Sequence, residues 1–242
     1  MKIEKLVTLS LKTTSDYEKN LEEFLTTIDG VEENSIIIAP EVCLSGFDYE
    51  NLDKLTELSS HFSTQIQKHS QNKVVILTML ERIDGKVYNT AKVFADGELI
   101  HQRAKARLFK LGDEHKYMQE GDDSDLEIFE IAGVKIAVLI CFELRFKELW
   151  QKTEGADIIA IPAWWGKSRG EHFRALTQTL AIINQCYVCA SDSANDDCSV
   201  LSGIITPQGV EKRNGNNPCL EQEYKKKEIS VMRRYLDVGI NG

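Results

Sequence analysis

Short, strongly apolar runs recur along the chain at residues 36–39, 74–80, 134–140, 158–161 and 187–191. A continuous apolar run of this length is typical of a strand that is buried on both faces of a sheet. Several segments between these runs carry apolar residues at helical spacing, which predicts amphipathic helices around residues 17–28, 52–66, 145–153 and 173–183. Strands that alternate with helices predict an α/β protein with one mixed sheet system and helices outside it.

Turn and capping residues refine this prediction. The two Asp-Gly pairs, Asp84-Gly85 and Asp96-Gly97, are flanked by alternating segments and predict an antiparallel meander at the edge of the sheet. Ser15 and Glu18 form a capping box that should begin the first helix. Pro162 should end the strand predicted over residues 158–161. We also expect a hairpin around Gly133, a long loop over residues 109–125, a loop over 214–220, a last strand over 229–232 and little regular structure over 233–242.

Composition excludes several classes of protein. The net charge of −9 argues against a nucleic-acid surface and against binding to anionic membranes. No apolar stretch is long enough to span a membrane, and the N-terminus lacks the apolar core of a signal peptide, so we expect a cytoplasmic protein. The five histidines and six cysteines show neither a disulfide framework nor metal-ligand spacing, so we expect no metal and no cofactor.

Cys186 and Cys189 have C-x-x-C spacing, which raises the alternative of a thiol redox protein. They lie in a predicted strand, however, where residues three apart point to opposite faces. That arrangement suits neither a redox pair nor a metal site.

Cys141 stands at a more informative position, between the apolar run 134–140 and the helix predicted to follow it. In α/β proteins, ligands bind where a central strand passes into a helix. Backbone N–H groups at such a turn favour a thiolate and a developing oxyanion. A free cysteine is nevertheless more often a small buried packing residue, and this stretch alone favours packing.

Two charged residues change that balance. Glu41 follows the apolar run 36–39 and Pro40, and Lys105 follows the last strand of the predicted meander. Each alone is compatible with a solvated strand end. If the strands are neighbours, Glu41, Lys105 and Cys141 converge at one rim of the sheet, and that combination favours a reactive site.

The motifs around these residues resemble those of the nitrilase, or carbon–nitrogen hydrolase, superfamily over nearly the whole chain. Ile38-Ala39-Pro40-Glu41 with Ser45-Gly46-Phe47 resembles the glutamate motif. Residues 105–109 resemble the lysine motif, and residues 141–146 resemble the cysteine motif. Asp113-Glu114 with Gly121 resembles the segment that carries a second glutamate. Residues 170–189 resemble the helix and strand that follow the site.

The resemblance implies an αββα sandwich of mixed sheets and outer helices, one domain over residues 1–242, that pairs as a homodimer or higher homo-oligomer. It implies that Cys141 attacks an amide carbonyl, that Glu41 acts as general acid and base, and that Lys105 with the Phe142 N–H stabilises the oxyanion. Glu114 is implied to hold Lys105. A lysine between two carboxylates should stay protonated.

Several residues depart from the superfamily pattern and leave the substrate open. Arg103 and Arg107 replace a tyrosine and a histidine around the lysine, Phe142 and Glu143 follow the cysteine in place of tyrosine and aspartate, and Lys147 replaces a proline. The candidates for the pocket walls are Phe47, Tyr117, Trp164 and Trp165, although the tryptophans suit core or interface packing equally well. Arg169 or Arg174 could bind a substrate carboxylate, although surface placement is the commoner role.

The resemblance implies hydrolysis of a small carboxylamide, in the manner of an ω-amidase. Within the superfamily the main alternative is an N-carbamoyl amine amidohydrolase. From another class, the alternative is a binding protein that has kept the fold without activity. The presence of Glu41, Lys105 and Cys141 argues against the latter.

Overall fold

The computed structural model describes residues 1–215 and 217–240. Within them, the strands in chain order are β1 (Lys5–Leu9), β2 (Ser35–Ile38), β3 (Val74–Ile83), β4 (Lys86–Ala95), β5 (Glu98–Ala104), β6 (Phe129–Ile131), β7 (Val134–Val138), β8 (Ile158–Ala163), β9 (Tyr187–Asp192), β10 (Gly203–Ile205), β11 (Glu211–Arg213) and β12 (Cys219–Glu223). The helices are α1 (Tyr17–Asp29), α2 (Leu52–His69), α3 (Glu114–Tyr117), α4 (Lys147–Lys152), α5 (Gly170–Asn184) and α6 (Lys226–Tyr235).

The strands form two six-stranded mixed sheets, with the orders β12-β1-β2-β3-β4-β5 and β11-β10-β9-β8-β7-β6. In the first sheet β1, β2 and β3 run parallel, and in the second β7, β8 and β9 do. Apolar side chains of both sheets share one core: Ile36 and Ile38 of β2 lie in the same cluster as Ile159 of β8. The chain is therefore an α/β sandwich, as predicted.

The alternation along β2 explains why its apolar run is continuous. Ile36 and Ile38 point to the core between the sheets. Ile37 points the other way and belongs to the cluster that contains Phe24 of α1 and Phe62 of α2. Because both faces are covered, each position needs an apolar side chain.

The predicted meander is confirmed. Both Asp-Gly pairs have positive φ at both positions, with Asp84 at 48° and Gly85 at 77°, and Asp96 at 50° and Gly97 at 83°. This is the geometry of the two-residue turns that match strand twist. Strand β5 lies at the edge of its sheet. Lys105 is the first residue after this strand.

Several boundaries differ from the predictions. Helix α1 is capped by Asp16, not Ser15: the Asp16 side chain accepts a hydrogen bond from the Lys19 N–H at 3.1 Å. Strand β8 continues through Pro162, which pairs with Ser191 in the ladder. The helix expected from residue 145 is split into a 3₁₀ helix, Cys141–Arg145, and the short α4.

The prediction of a strand over residues 229–232 is wrong, because α6 occupies this segment. The β-branched residues Ile229 and Val231 suggested a strand. The residues that are buried are instead Ile229 and Arg233, which share one helical face four positions apart.

The predicted loops also contain regular structure. Residues 109–125 include α3 and two 3₁₀ turns, Lys110–Gly112 and Asp123–Asp125, and the loop predicted over 214–220 gives way to β12 at Cys219. Asn216 in that loop and residues 241–242 of the predicted tail lie outside the described residues. The single domain over residues 1–242 stays a prediction. No helix within residues 1–215 and 217–240 is both long and apolar enough to cross a membrane.

Candidate active site

The ends of three strands meet at one rim of the sandwich. Glu41 lies shortly after β2, Lys105 directly follows β5, and Cys141 lies shortly after β7. The backbone N–H of Glu41 donates to the carbonyl of Ala163 at the end of β8, at 3.2 Å, which joins the two sheets at this rim. The structure thus brings the three side chains together.

Lys105 is at the centre of the cluster. Its ammonium donates to Glu41 Oε1 at 2.7 Å and to Glu114 Oε1 at 2.9 Å, and its side chain is fully buried. Burial alone would lower the pKa of Lys105, but the two negative carboxylates outweigh it, and the net pKa lies above the ordinary value. Lys105 is therefore a fixed positive charge, as the sequence suggested.

Glu41 is also fully buried, and its two oxygens have different surroundings. Oε1 accepts from Lys105 and from the Asn89 side chain at 2.8 Å. Oε2 has no hydrogen-bond partner among the described residues. Burial raises the pKa of Glu41, with a further increase from Glu114, while Lys105 and the neighbouring Cys141 thiol lower it. The arrangement leaves one oxygen without a partner on a carboxyl group that neighbours the Cys141 thiol.

Glu114 begins α3 and binds at both of its oxygens. Oε1 accepts from Lys105, and Oε2 accepts from the backbone N–H of Phe109 at 3.0 Å. The carboxylate therefore gives the lysine a second ion pair beside that with Glu41.

Cys141 occupies a strained turn. Its φ is +44°, in the left-handed region that residues with a side chain rarely adopt. It is 7% exposed, and its Sγ lies 3.6 Å from the Trp164 carbonyl oxygen. Burial and the charge of Glu41 raise the pKa of Cys141 well above its ordinary value, and Lys105 opposes them. The thiol therefore needs a base to ionise near neutral pH.

A cavity opens above Cys141. Its lining residues, none of them acidic, are Phe109, Cys141, Phe142, Arg145, Trp164, Trp165 and Arg169. Phe47 packs edge-on against Trp164 and lies 5.9 Å from the Lys105 ammonium, measured to the ring centroid. Tyr117 lies outside this cavity, half-exposed, and stacks on Tyr49 at 4.3 Å.

Two arginines give the cavity a positive wall. The Arg145 guanidinium lies 4.9 Å from the Trp165 ring centroid, and that of Arg169 lies 5.1 Å from the Phe109 ring centroid. Burial lowers the pKa of Arg145, and the nearby positive charge of Arg169 lowers it further. Two cations that face a common cavity favour an anionic group of a ligand between them.

The other sequence candidates lie elsewhere. Arg174 pairs with Glu211 on the surface, and Cys43 is buried among apolar side chains. Cys186 and Cys189 are buried free thiols whose pKa values burial raises, Cys186 to about 12. Raised pKa values disfavour the thiolate that redox exchange requires. In residues 1–215 and 217–240, no three His, Cys, Asp or Glu side chains are grouped to hold a metal ion.

Two contacts of the site were not found from the sequence. Asn89 lies in the middle of β4, and its amide resembles any other polar residue of an edge hairpin until its contact with Glu41 is seen. Arg103 and Glu143 stood out only as departures from the superfamily pattern. In the structure they form a buried ion pair.

The carbon–nitrogen hydrolase family model matches residues 6–214, which include all four residues of the cluster. The chain belongs to the carbon–nitrogen hydrolase family. Its geometry agrees with this membership, since the matched segment contains both sheets of the sandwich up to β11.

Known proteins similar to this carbon–nitrogen hydrolase include two amidases. It is 33% identical over 185 residues to 2-oxoglutaramate amidase of Bacillus subtilis, and the match covers 72% of this chain and 71% of the relative. It is 28% identical over 201 residues to the omega-amidase YafV of Escherichia coli, and the match covers 80% of this chain and 77% of the relative.

Among solved structures, XC1258 of Xanthomonas campestris, a CN-hydrolase superfamily protein, superposes with a TM-score of 0.85 at 21% identity. The match covers 98% of this chain and 96% of that one. At this identity the likeness establishes the shared fold.

Proposed function

We propose that this carbon–nitrogen hydrolase cleaves the terminal amide of a small carboxylate-bearing substrate and releases ammonia, in the manner of an ω-amidase. The observation that carries the proposal is the buried cluster in which Lys105 bridges Glu41 and Glu114 beside the Cys141 thiol. A nucleophile, a base and a fixed positive charge are the groups that amide hydrolysis needs, since amides are poor electrophiles.

In the first step, the Cys141 sulfur attacks the amide carbonyl carbon, and its proton passes to Glu41. The free oxygen Oε2 is the acceptor, because Oε1 already accepts two hydrogen bonds. The negative charge on the carbonyl oxygen is stabilised by Lys105 and by the Phe142 N–H, which lies in the first turn of a helix and lacks a partner within it. A single such donor contributes roughly 3 kcal/mol.

In the second step, Glu41 returns the proton to the amide nitrogen, the C–N bond breaks, and ammonia leaves a thioester on Cys141. Water then attacks the thioester carbon and gives a proton to Glu41. The thiolate leaves and recovers that proton, and the carboxylic acid is released. The overall reaction consumes one water and needs no oxidant or metal.

The two cavity arginines support a substrate with a carboxylate. Arg145 and Arg169 face the space next to Cys141, and no acidic side chain lines that space. The named relatives suggest the same kind of molecule, since one acts on 2-oxoglutaramate and another is an omega-amidase. An uncharged amide would leave the two guanidinium groups without a counter-charge.

The test is ammonia release from a panel of dicarboxylic acid monoamides, neutral amides, N-carbamoyl amines and nitriles. We expect activity on the monoamides, none for Cys141→Ala, and an acyl adduct on Cys141 in the intact mass of the wild-type enzyme. Preference for N-carbamoyl amines would identify the alternative hydrolase. Equal inactivity of both proteins across the panel would favour the binding protein, and activity that survives the substitution would exclude Cys141 as nucleophile.

We also propose that the chain works as a homo-oligomer in the cytoplasm. The support for self-association is an exposed apolar face formed by Ile182 and Ile183 of α5 with Val210, which are 46%, 51% and 66% exposed. Side-chain atoms of Ile182 lie close to Gly209, the chain neighbour of Val210. Fractionation of cells that produce the protein would test the location.

A further inference from the structure

Arg103 and Glu143 form an ion pair that is almost completely removed from solvent. Their side chains are 1% and 0% exposed. Arg103 lies in β5, two residues before Lys105, and Glu143 lies in the 3₁₀ helix, two residues after Cys141. The pair therefore joins the edge strand of the first sheet to the nucleophile turn of the second.

Every polar hydrogen of the Arg103 guanidinium has an acceptor. Nε donates to the Val138 carbonyl at 3.1 Å, Nη1 donates to the Ala104 carbonyl at 3.1 Å and to Glu143 Oε1 at 3.0 Å, and Nη2 donates to Val138 at 2.9 Å and to Glu143 Oε2. A guanidinium has five N–H groups in a fixed planar fork. All of them are used here, so the orientation of the side chain is fixed.

The Glu143 carboxylate is equally saturated. Oε1 also accepts from the Ala106 N–H at 2.6 Å, and Oε2 accepts from the Ile140 N–H at 2.7 Å. A buried pair with all of its partners in place can hold a single geometry, whereas removal of one partner leaves an uncompensated charge.

The backbone anchors of this network surround the reactive residues. Ala104 and Ala106 are the chain neighbours of Lys105, and Ile140 is the chain neighbour of Cys141. The network thus fixes the backbone at Lys105 relative to the backbone at Cys141, although neither Arg103 nor Glu143 lines the cavity.

We propose that Arg103 and Glu143 are positioning residues that set the separation between the Lys105 ammonium and the Cys141 thiol. Displacement of reacting groups by about 1 Å can lower a rate about 100-fold, and no side chain other than these two connects both backbone segments through hydrogen bonds in the described residues. The inference rests on the proposed amidase function. Alkylation of Cys141 tests it without any amide substrate.

The experiment uses Arg103→Lys and Glu143→Asp, which keep both charges but cannot reach all of the anchors. We expect folded proteins, a kcat lowered about 100-fold with little change in KM, and alkylation of Cys141 by iodoacetamide, followed by the mass of the Cys141 peptide, whose pH profile moves to higher pH. The last effect follows because Lys105 lowers the pKa of Cys141, so a displaced lysine favours the thiolate less.

Arg233→Lys is the matched control. Arg233 is buried and donates to the Ala156 carbonyl at 2.6 Å. Ala156 lies before the start of β8, whereas Trp164 of the cavity follows the other end of that strand. This variant should leave kcat and the alkylation profile unchanged. The proposal is overturned if the two test variants behave like the control, if kcat falls while the alkylation profile stays in place, or if neither variant folds. If no amide is hydrolysed by the wild type but the alkylation profile still shifts, the positioning role holds and the proposed substrate class fails.

Discussion

Asn89 and Glu41 form a hydrogen bond of 2.8 Å that occupies one oxygen of the carboxylate. Because Asn89 and Lys105 both donate to Oε1, the second oxygen is left without a partner in the described residues, and it is the base of the proposed mechanism. The Asn89 backbone also takes part, since its carbonyl accepts from the Lys105 N–H at 2.8 Å. One residue of β4 therefore orients both charged partners of Cys141.

The substitution Asn89→Leu should raise the pH at which activity appears. It removes a hydrogen bond to the ionised carboxylate, and such bonds contribute about 1.5–3 kcal/mol, so the pKa of Glu41 should rise by about one to two units. The measurement is kcat/KM against pH. Asn184→Leu is the control, because Asn184 is a buried asparagine that donates to Trp150 and Thr153, away from the site. An equal displacement of the kcat/KM profile in both variants would contradict the role of Asn89.

The wild-type profile should itself be displaced from that of an ordinary carboxylate. Burial raises the pKa of Glu41, and the proposed mechanism needs its ionised form. As pH falls through this raised pKa, Glu41 takes up a proton and kcat/KM should decline, with a midpoint above the usual value of about 4.3. A midpoint at or below that value would show that the acid limb does not report Glu41.

Removal of either cavity arginine should weaken binding of carboxylate-bearing amides. Arg145→Met or Arg169→Met should raise KM roughly 10- to 100-fold, the effect of losing a charge-assisted contact. A neutral amide of the same length should be unaffected. Arg174→Met is the control, because Arg174 pairs with Glu211 on the surface. An equal rise in KM for charged and neutral amides would contradict an anionic subsite.

The apolar face of Ile182, Ile183 and Val210 should determine the oligomeric state. Ile183→Glu places a charge in this face and should convert a dimer to a monomer in light scattering coupled to size-exclusion chromatography. Ile100→Glu is the control, because Ile100 lies on the edge strand β5 and is similarly exposed, at 46%. If Ile100→Glu dissociates the protein and Ile183→Glu does not, the interface lies on the edge strand instead.

The layers of the fold could be predicted because the buried central strands have a local signal. Residues 36–39 read as a buried strand since Ile36 and Ile37 both need apolar surroundings, on opposite faces. α6 could not be predicted in this way. Its buried positions, Ile229 and Arg233, include a charged residue whose partner, the Ala156 carbonyl, is remote in sequence. Only tertiary contact makes arginine an inward-facing residue of that helix.

In the candidate site, too, some residues have a local sequence signal and others are recognised only from tertiary contacts. Glu41, Lys105 and Cys141 could be selected because each follows a strand and matches a superfamily motif. Arg103 and Glu143 were visible separately as departures from that pattern, but their mutual contact depends on how β5 packs beside the turn after β7. Arg169 was a candidate from the sequence, but its pairing with Arg145 could not be predicted, since the two arginines meet only across the cavity.

The division of the cluster between two sheets has a consequence for partly unfolded molecules. Glu41, Asn89 and Lys105 belong to the first sheet or its strand ends, whereas Cys141 follows a strand of the second. A molecule whose sheets have separated retains a cysteine without an adjacent base or cation, and such a thiol is mostly protonated near neutral pH. Amide hydrolysis is thus conditional on complete assembly, because the cysteine and its charged neighbours come from different sheets.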